Sequence, residues 1–452
     1  MAHAHLAVSA GDAHSSHRSL FSFLSLDLAM RYEPSVKGAL LSTCLIAFTA
    51  CAGADAPSFS STAVAFENAH VVIGDGSALQ GAVVVVDGGQ IVAVGPAADI
   101  DVSSVETRYD LSGKTMVPAF VNAHAHLVAD RPGRAEQLQH FAYYGQSAVV
   151  SLGLDEGDVG LEMRSEVVPM GARSQSAGRG ITRPEPGRSE VPHWVNTEEE
   201  ARAAVRELAA ADVDWVKIWV DDRGGQYDRL SPELYGAVID EAHQNGIRVT
   251  AHIFRLEDAK GLLRAGIDAF AHGIRDQDID DELVELWLAR PEVVLIPNLP
   301  GPGVPTDVSW ISSLPGDRVG QMQEGASRES ANAQEAFGIQ ARNLARLNEA
   351  GVTISFGTDG GNPWAVHQEL EDMVRTGMSP AEVLVAATST SAELLGYDDL
   401  GSVSVGKSAD FVVLNANPLD DITATRDISA VYLRGERLDR AELAQKFMRP
   451  GA

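Results

Sequence analysis

Apolar residues in the middle of the chain fall into short runs: TMVPAFVNAH, QSAVVSLG, PMGARSQ, VDWVKIWV, GIRVTAHIF, IDAFAHGI, EVVLIPNL and GVTISFGTD. Between most of these lie stretches with helical periodicity, such as TEEEARAAVRELAAA, SPELYGAVIDEAHQNG and EDAKGLLRAG. Eight strands alternating with helices predict an α/β chain whose residues 118–399 form a (β/α)8 barrel. Toward both ends the pattern changes to β-branched runs broken by Gly-Asp, Asp-Gly and Ser-Gly turns. These are VAFENAHVVIGDG, GAVVVVDGGQIVAVGP and TRYDLSGKTMVPAF, then GSVSVGKSADFVVLNANP and ISAVYLRGERL. Neither set is long enough to enclose a core, so one small β-sandwich assembled from residues 64–117 and 400–445 is expected. Two stretches rich in Gly, Pro and charge, Gly178–Asn196 and Pro300–Ser330, read as long strand-to-helix loops of the lid type.

The 452 residues carry a net charge of −28, which excludes a nucleic-acid or anionic-membrane partner that would need a basic footprint. A small-molecule substrate is expected instead, and nothing in the pattern fixes a monomer or a homo-oligomer. GALLSTCLIAFTA, residues 38–50, is too short for a comfortable membrane span and follows Arg31 and Lys37, the arrangement of a secretory signal. The ending Phe48-Thr49-Ala50-Cys51 is similar to a bacterial lipobox, which would make Cys51 a lipid carrier and the only membrane attachment. On this reading residues 1–29 are an upstream extension, Met30 is the start, 30–51 the signal and 52–63 a linker. The expected location is then the periplasm, or a bacterial membrane surface reached through the anchor. Both cysteines, Cys44 and Cys51, fall in or at the end of that signal, so the folded part holds no thiol.

Candidate chemistry collects near the ends of the central strands, where a barrel places its active site. His124 and His126 stand two apart, so both imidazoles project to one side and can grip one divalent metal. In VDWVKIWV, Trp215, Lys217 and Trp219 share a face opposite Val216, Ile218 and Val220. A lysine inside a barrel is costly as an ammonium, so Lys217 must be paired, for instance with Asp221 or Asp222, or chemically modified. Alternation likewise groups Thr250, His252 and Phe254; Asp268, Phe270 and His272; and Thr353, Ser355, Gly357 and Asp359. Any one of these polar residues alone reads as an ordinary rim residue; their coincidence at five strand ends points to a metal centre. The same pentapeptide AHAHL at residues 2–6 has no strand before it and no partners after it, so His3 and His5 carry no such reading.

The chain resembles the amidohydrolase superfamily, in particular its prolidase- and imidazolonepropionase-like members. The resemblance rests on MVPAFVNAHAHL, VDWVKIWVDDRGG, RVTAHIF, DAFAHGI, SFGTDGG, HQELEDMVRTGMSPAEVLVAATSTSAELLG and LGSVSVGKSADFVVLNANPL. It implies two divalent metals, zinc in the first instance, held by His124, His126 and Asp359 and by His252 and His272. A carbamate formed from CO2 on Lys217 would bridge them. It further implies hydrolysis of an amide-type C–N bond in a dipeptide or N-acyl amino acid by metal-activated hydroxide, with Asp359 as general base and then acid. Deaminase-type relatives with one metal, acting on cyclic amides or imides, are the alternative. Arg255 stands three residues after His252, where many of those relatives carry a glutamate. A lipoprotein that binds without turnover is a further reading, against which the complete ligand set argues. His367, Tyr143, Arg183 and Asn298 are the candidate substrate contacts.

Overall fold

The structure, a computed structural model, describes residues 59–448. The apolar segment 38–50, Cys51 and the two candidate starts Met1 and Met30 lie outside the described residues. Among the described residues, no helix is long and apolar enough to cross a membrane.

Both ends of the described chain meet in one eight-stranded sheet. The first end contributes Val64–Val72, Ala78–Asp87, Gln90–Pro96, Thr107–Asp110 and Thr115–Pro118; the second contributes Phe411–Leu414, Ile428–Leu433 and Glu436–Arg437. Thr115–Pro118 is the seam, parallel to Val64–Val72 on one side and antiparallel to Phe411–Leu414 on the other, with Val117 opposite Val412. Two stacked sheets were expected here; the ladder is instead continuous. Its far edge returns toward the seam, where the Ile91 amide donates to the Lys407 carbonyl at 2.9 Å. The alternation of apolar residues is the same for either arrangement, which is why the sequence pattern does not separate them. Phe66, Phe411 and Tyr432 fill one face, with ring centroids 4.8–5.2 Å apart. Gly74, at φ +106°, packs so closely on Gly401 that a Cβ would collide with its carbonyl oxygen.

Only Ala119 separates the seam strand from the first of seven parallel strands. These are β1 (Phe120–Ala125), β2 (Gln146–Ser151), β3 (Arg173–Ser176), β4 (Val216–Val220), β5 (Val249–Ile253), β6 (Ala269–Ala271) and β7 (Val294–Ile296). Parallel ladders join β1 to β2 to β3, and β4 to β5 to β6 to β7. Asp214, ahead of β4, donates its amide to Ser176 of β3 at 3.0 Å. The eighth run forms a single parallel bridge, Ile354 with Leu295, and the Ala123 amide donates to the Phe356 carbonyl at 2.9 Å. Helices lie between the strands because their apolar stripes need the outward faces. Val205 and Leu208 of Glu198–Ala210, and Ala237 and Val238 of Pro232–Gln244, share a buried cluster with Val216, Ile218 and Val220. Thr197 and Glu200 close the first of these helices with a capping box, and Ser231 caps the second.

Three local expectations change. Gly178–Asn196 contains the short parallel pair Ile181–Thr182 and His193–Trp194, and Ile181 bridges Ile218 of β4, so the loop is tied to the sheet near both of its ends. Pro300–Ser330 contains a helix, Gly316–Ala326, started by Pro315. Phe270 does not share a face with His272: it packs outward on Trp287, with ring centroids 4.9 Å apart. The strand ends at Ala271, and His272 takes φ +84°, which breaks the alternation.

Candidate metal centre

β1 delivers two imidazoles because its regular pairing fails where they are needed. The register with β2 shifts between Asn122 and Ala125, so Ala123 joins the inner apolar cluster while Ala125 and Leu127 pack outward. Asn122, fully buried, braces this bend. Its Nδ2 donates to Gln146 Oε1 at 3.0 Å and Thr358 Oγ1 at 2.9 Å, and its Oδ1 accepts from the His124 amide at 3.1 Å. The eighth run is pinned to the same place, with the amides of Thr358 and Asp359 both donating to the His124 carbonyl.

Asp359 Oδ1 lies 3.2 Å from His124 Nε2 and 3.1 Å from His126 Nε2, and Oδ2 lies 3.4 Å from His272 Nε2. His124, His126 and Asp359 each offer one ligand atom, all within 4.8 Å of one another, a group able to hold a metal ion. Lys217, completely buried, places Nζ 3.4 Å from His124 Nε2 and 5.5 Å from the Trp219 ring centre. Neither Asp221 nor Asp222 pairs with it. Asp221 is taken by Arg223 and His252, and Asp222 by Arg229 and Arg255. Burial therefore lowers the Lys217 ammonium to about 7, with Asp359 opposing the shift.

His252 stands one step aside. Its ring is 4.6 Å from that of His272, but its Nε2 is 2.9 Å from Asp221 Oδ2 and 3.1 Å from Arg223 Nη1. That leaves Nδ1 for any ligand. Desolvation keeps His124 and His272 neutral well below the usual histidine range and brings His252 to about 3. Burial pushes the Asp359 carboxyl up, but His124, His126 and His272 outweigh it and hold the group well below the usual carboxylate range. Neutral imidazoles and an ionised carboxylate are the donor forms a divalent cation takes. The Nδ1 atoms of His126 and His272 are buried without a partner. A buried lysine amine that neither Asp221 nor Asp222 pairs, lowered far enough to lose its proton near neutral pH, completes a donor set that fits a metal and a carbamate.

Of the four candidate substrate contacts, one reaches this centre, and as a support. Asn298 Oδ1 is 2.7 Å from His124 Nδ1, fixing the ring from behind. Tyr143 bonds through its hydroxyl to Ser312 Oγ at 2.8 Å, and buried His367 pairs with Thr425 Oγ1 at 3.1 Å among aromatic rings. Arg183 bonds Asn196 and faces a cavity of about 980 Å³ at the starts of three helices, lined also by Tyr227, Arg229 and Arg264. None of the proposed ligands lines that cavity. Asn298, His272 and Asp359 all take positive φ, as does Arg223, which places backbone strain at the centre itself. Asn122, Asp221, Arg223 and Glu185 were not singled out as site residues. Asn122 had a readable signal, a polar side chain within an apolar strand beside the two histidines; the others depend on contacts between distant loops.

The amidohydrolase family model matches residues 115–438. The chain belongs to the amidohydrolase family and is a hydrolase of carbon–nitrogen bonds. It is 30% identical to a Bifidobacterium longum protein provisionally assigned as a prolidase, covering 86% of this chain and 99% of that one with a TM-score of 0.69. It is 25% identical to the imidazolonepropionase of Streptomyces griseus over 81% of this chain and 95% of the relative. The ochratoxinase of Aspergillus niger is 25% identical over 64% of this chain and 57% of its own length. This amidohydrolase therefore resembles relatives that act on quite different molecules, so the family fixes the bond class better than the substrate.

Proposed function

We propose that this amidohydrolase is an exported, metal-dependent enzyme that cleaves the amide bond of a dipeptide or N-acyl amino acid. In this reading its parallel strands close as the eight-stranded barrel that positions the centre. The observation that carries the reading is Lys217: a buried amine with no carboxylate partner, its Nζ 3.4 Å from His124 Nε2. An amine lowered to about 7 is the form that takes up CO2, and a carbamate there would join His124, His126 and Asp359 to His252 and His272. Bound divalent ions would supply a water of lowered pKa and polarise the scissile carbonyl. Asp359 receives the proton of the attacking water and returns it to the departing nitrogen. Asn298 and Asp221 hold the rings of His124 and His252 in one orientation throughout.

Two metals per chain, with release of free amine from dipeptides or N-acyl amino acids, is the expected result of metal analysis and a substrate screen. Lys217→Ala lowers the count to one and removes turnover; an unchanged count sinks the bridge. A second reading has one observation in its favour, that among the described residues only His124, His126 and Asp359 form a compact triad while His252 is engaged by Asp221. One metal per chain with opening of a cyclic amide would favour it. The leader and Cys51 support export of the same enzyme. Labelling of the expressed chain by a fatty acid, lost in Cys51→Ala, tests the anchor.

A further inference from the structure

Two guanidinium groups flank His252, and neither is fully satisfied. Arg223 follows β4 and Arg275 follows β6; the Arg275 amide donates to the Phe254 carbonyl at 2.9 Å, which draws its loop against the end of β5. Arg223 is tightly held, with Nε 3.0 Å from Glu185 Oε1 and Nη1 2.7 Å from Asp221 Oδ2, yet its Nη2 is buried without a partner. The Arg275 Nε is likewise buried and unpartnered. The acids nearest to it are committed elsewhere: Asp221 to Arg223 and His252, Asp359 to three histidines. Buried guanidinium nitrogens left without an acceptor are expensive, and the rigid guanidinium fork matches the two oxygens of a carboxylate, an anion that a substrate with an amide bond can carry close to that bond.

We propose that Arg275 and Arg223 together bind a carboxylate of the substrate, placing it beside the centre built on His124, His126, His272 and Asp359. This rests on the hydrolase reading above and narrows it. The preferred substrates are those in which a free carboxylate lies close to the scissile amide, as in dipeptides and N-acyl amino acids. Cyclic amides and amide-capped analogues, which lack that anion, are disfavoured. Glu185, from the loop between β3 and β4, sets the orientation of Arg223 and so contributes to specificity without touching the substrate.

The test compares an N-acyl amino acid with the same compound carrying a carboxamide, using the metal-loaded full chain. For Arg275→Met, kcat/KM on the acid falls on the order of 100-fold, as expected when one partner of a buried charge pair is truncated. The amide changes by less than about 3-fold on the same argument, and metal content is unchanged. Arg275→Lys, which keeps the charge and fills most of the volume, recovers part of the loss and guards against a folding artefact. Equal losses on both compounds overturn the proposal. So does loss of metal in Arg275→Met, which would assign Arg275 to the metal centre. If the parent enzyme cleaves neither compound, the hydrolytic reading fails separately, and calorimetric binding of the two compounds decides the arginine proposal alone. A preference for the acid that Arg275→Met abolishes sustains it; equal binding of acid and amide by the parent protein overturns it.

Discussion

The imidazole of His124 is held from two sides. Asp359 and Lys217 lie at its Nε2, and the Asn298 carboxamide lies 2.7 Å from its Nδ1. An amide acceptor at Nδ1 fixes the proton there and leaves Nε2 with its lone pair free, the tautomer that a metal requires. Asn298→Ala therefore weakens metal affinity by about 10–100-fold, read by competition with a chelator, and, by orphaning the buried His124 Nδ1–H, also lowers the melting temperature of the metal-free protein. A variant that raised KM and left metal affinity unchanged would instead make Asn298 a substrate contact, as the sequence alone suggested. The difference between the two roles lies in a bond between residues 174 positions apart. No local pattern encodes it.

At the scale of elements, the helix Ala365–Arg375 shows both what the sequence tells and what it conceals. Its spacing of Val366, Leu370 and Met373 reads as a buried stripe, and all three are buried. The acids between them, Glu369, Glu371 and Asp372, are buried too, which the apolar stripe does not announce. Glu369 accepts the Leu299 amide with both oxygens at 3.1 Å, fixing the backbone beside Asn298. Asp372 has no comparable partner: burial raises it to about 7, against the pull of Arg375 at 3.3 Å. The folded chain thus holds that proton more tightly than the unfolded chain. The stability it contributes is present below about pH 4 and is lost as pH rises toward 7. Asp372→Asn removes this dependence. Urea unfolding at pH 5 and pH 8 should show the variant gaining on its parent by roughly 1.4 kcal/mol for each pH unit between 5 and 7, and little more above 7. The buried histidines titrate with the opposite sign, so the difference between the two proteins is the quantity to read. A constant difference would mean that Asp372 is ionised throughout. The strands divide in the same way. β4 follows plain alternation, so Lys217 was legible; β1 and β6 depart from it through a register shift and a positive φ that side-chain type does not announce.

At the scale of the molecule, the sheet from both chain ends and the metal centre are mechanically one piece. The seam strand Thr115–Pro118 pairs with Phe411–Leu414, and after Ala119 it becomes β1, which carries His124 and His126. The final helix, Arg440–Phe447, extends this coupling beyond the sheet expected for residues 400–445. Phe447 stacks on His140 at 4.0 Å, and Lys446 pairs with Glu136 at 3.1 Å, both on the helix that follows β1. Loosening the terminal sheet should therefore loosen the centre, although the two are far apart in sequence. Phe411 is the place to test it, fully buried between Phe66 and Tyr432 in an apolar cluster that contains none of the proposed ligands. Phe411→Ala leaves a cavity worth about 3–5 kcal/mol, measured by urea unfolding of the metal-free protein. If sheet and centre unfold together, tryptophan fluorescence, whose six reporters all lie between Trp194 and Trp364 and outside the terminal sheet, reports the same lowered midpoint as circular dichroism. Fluorescence that kept the parent midpoint while circular dichroism showed an earlier step would mean that the terminal sheet melts by itself. The continuity through Ala119 would then not couple the two.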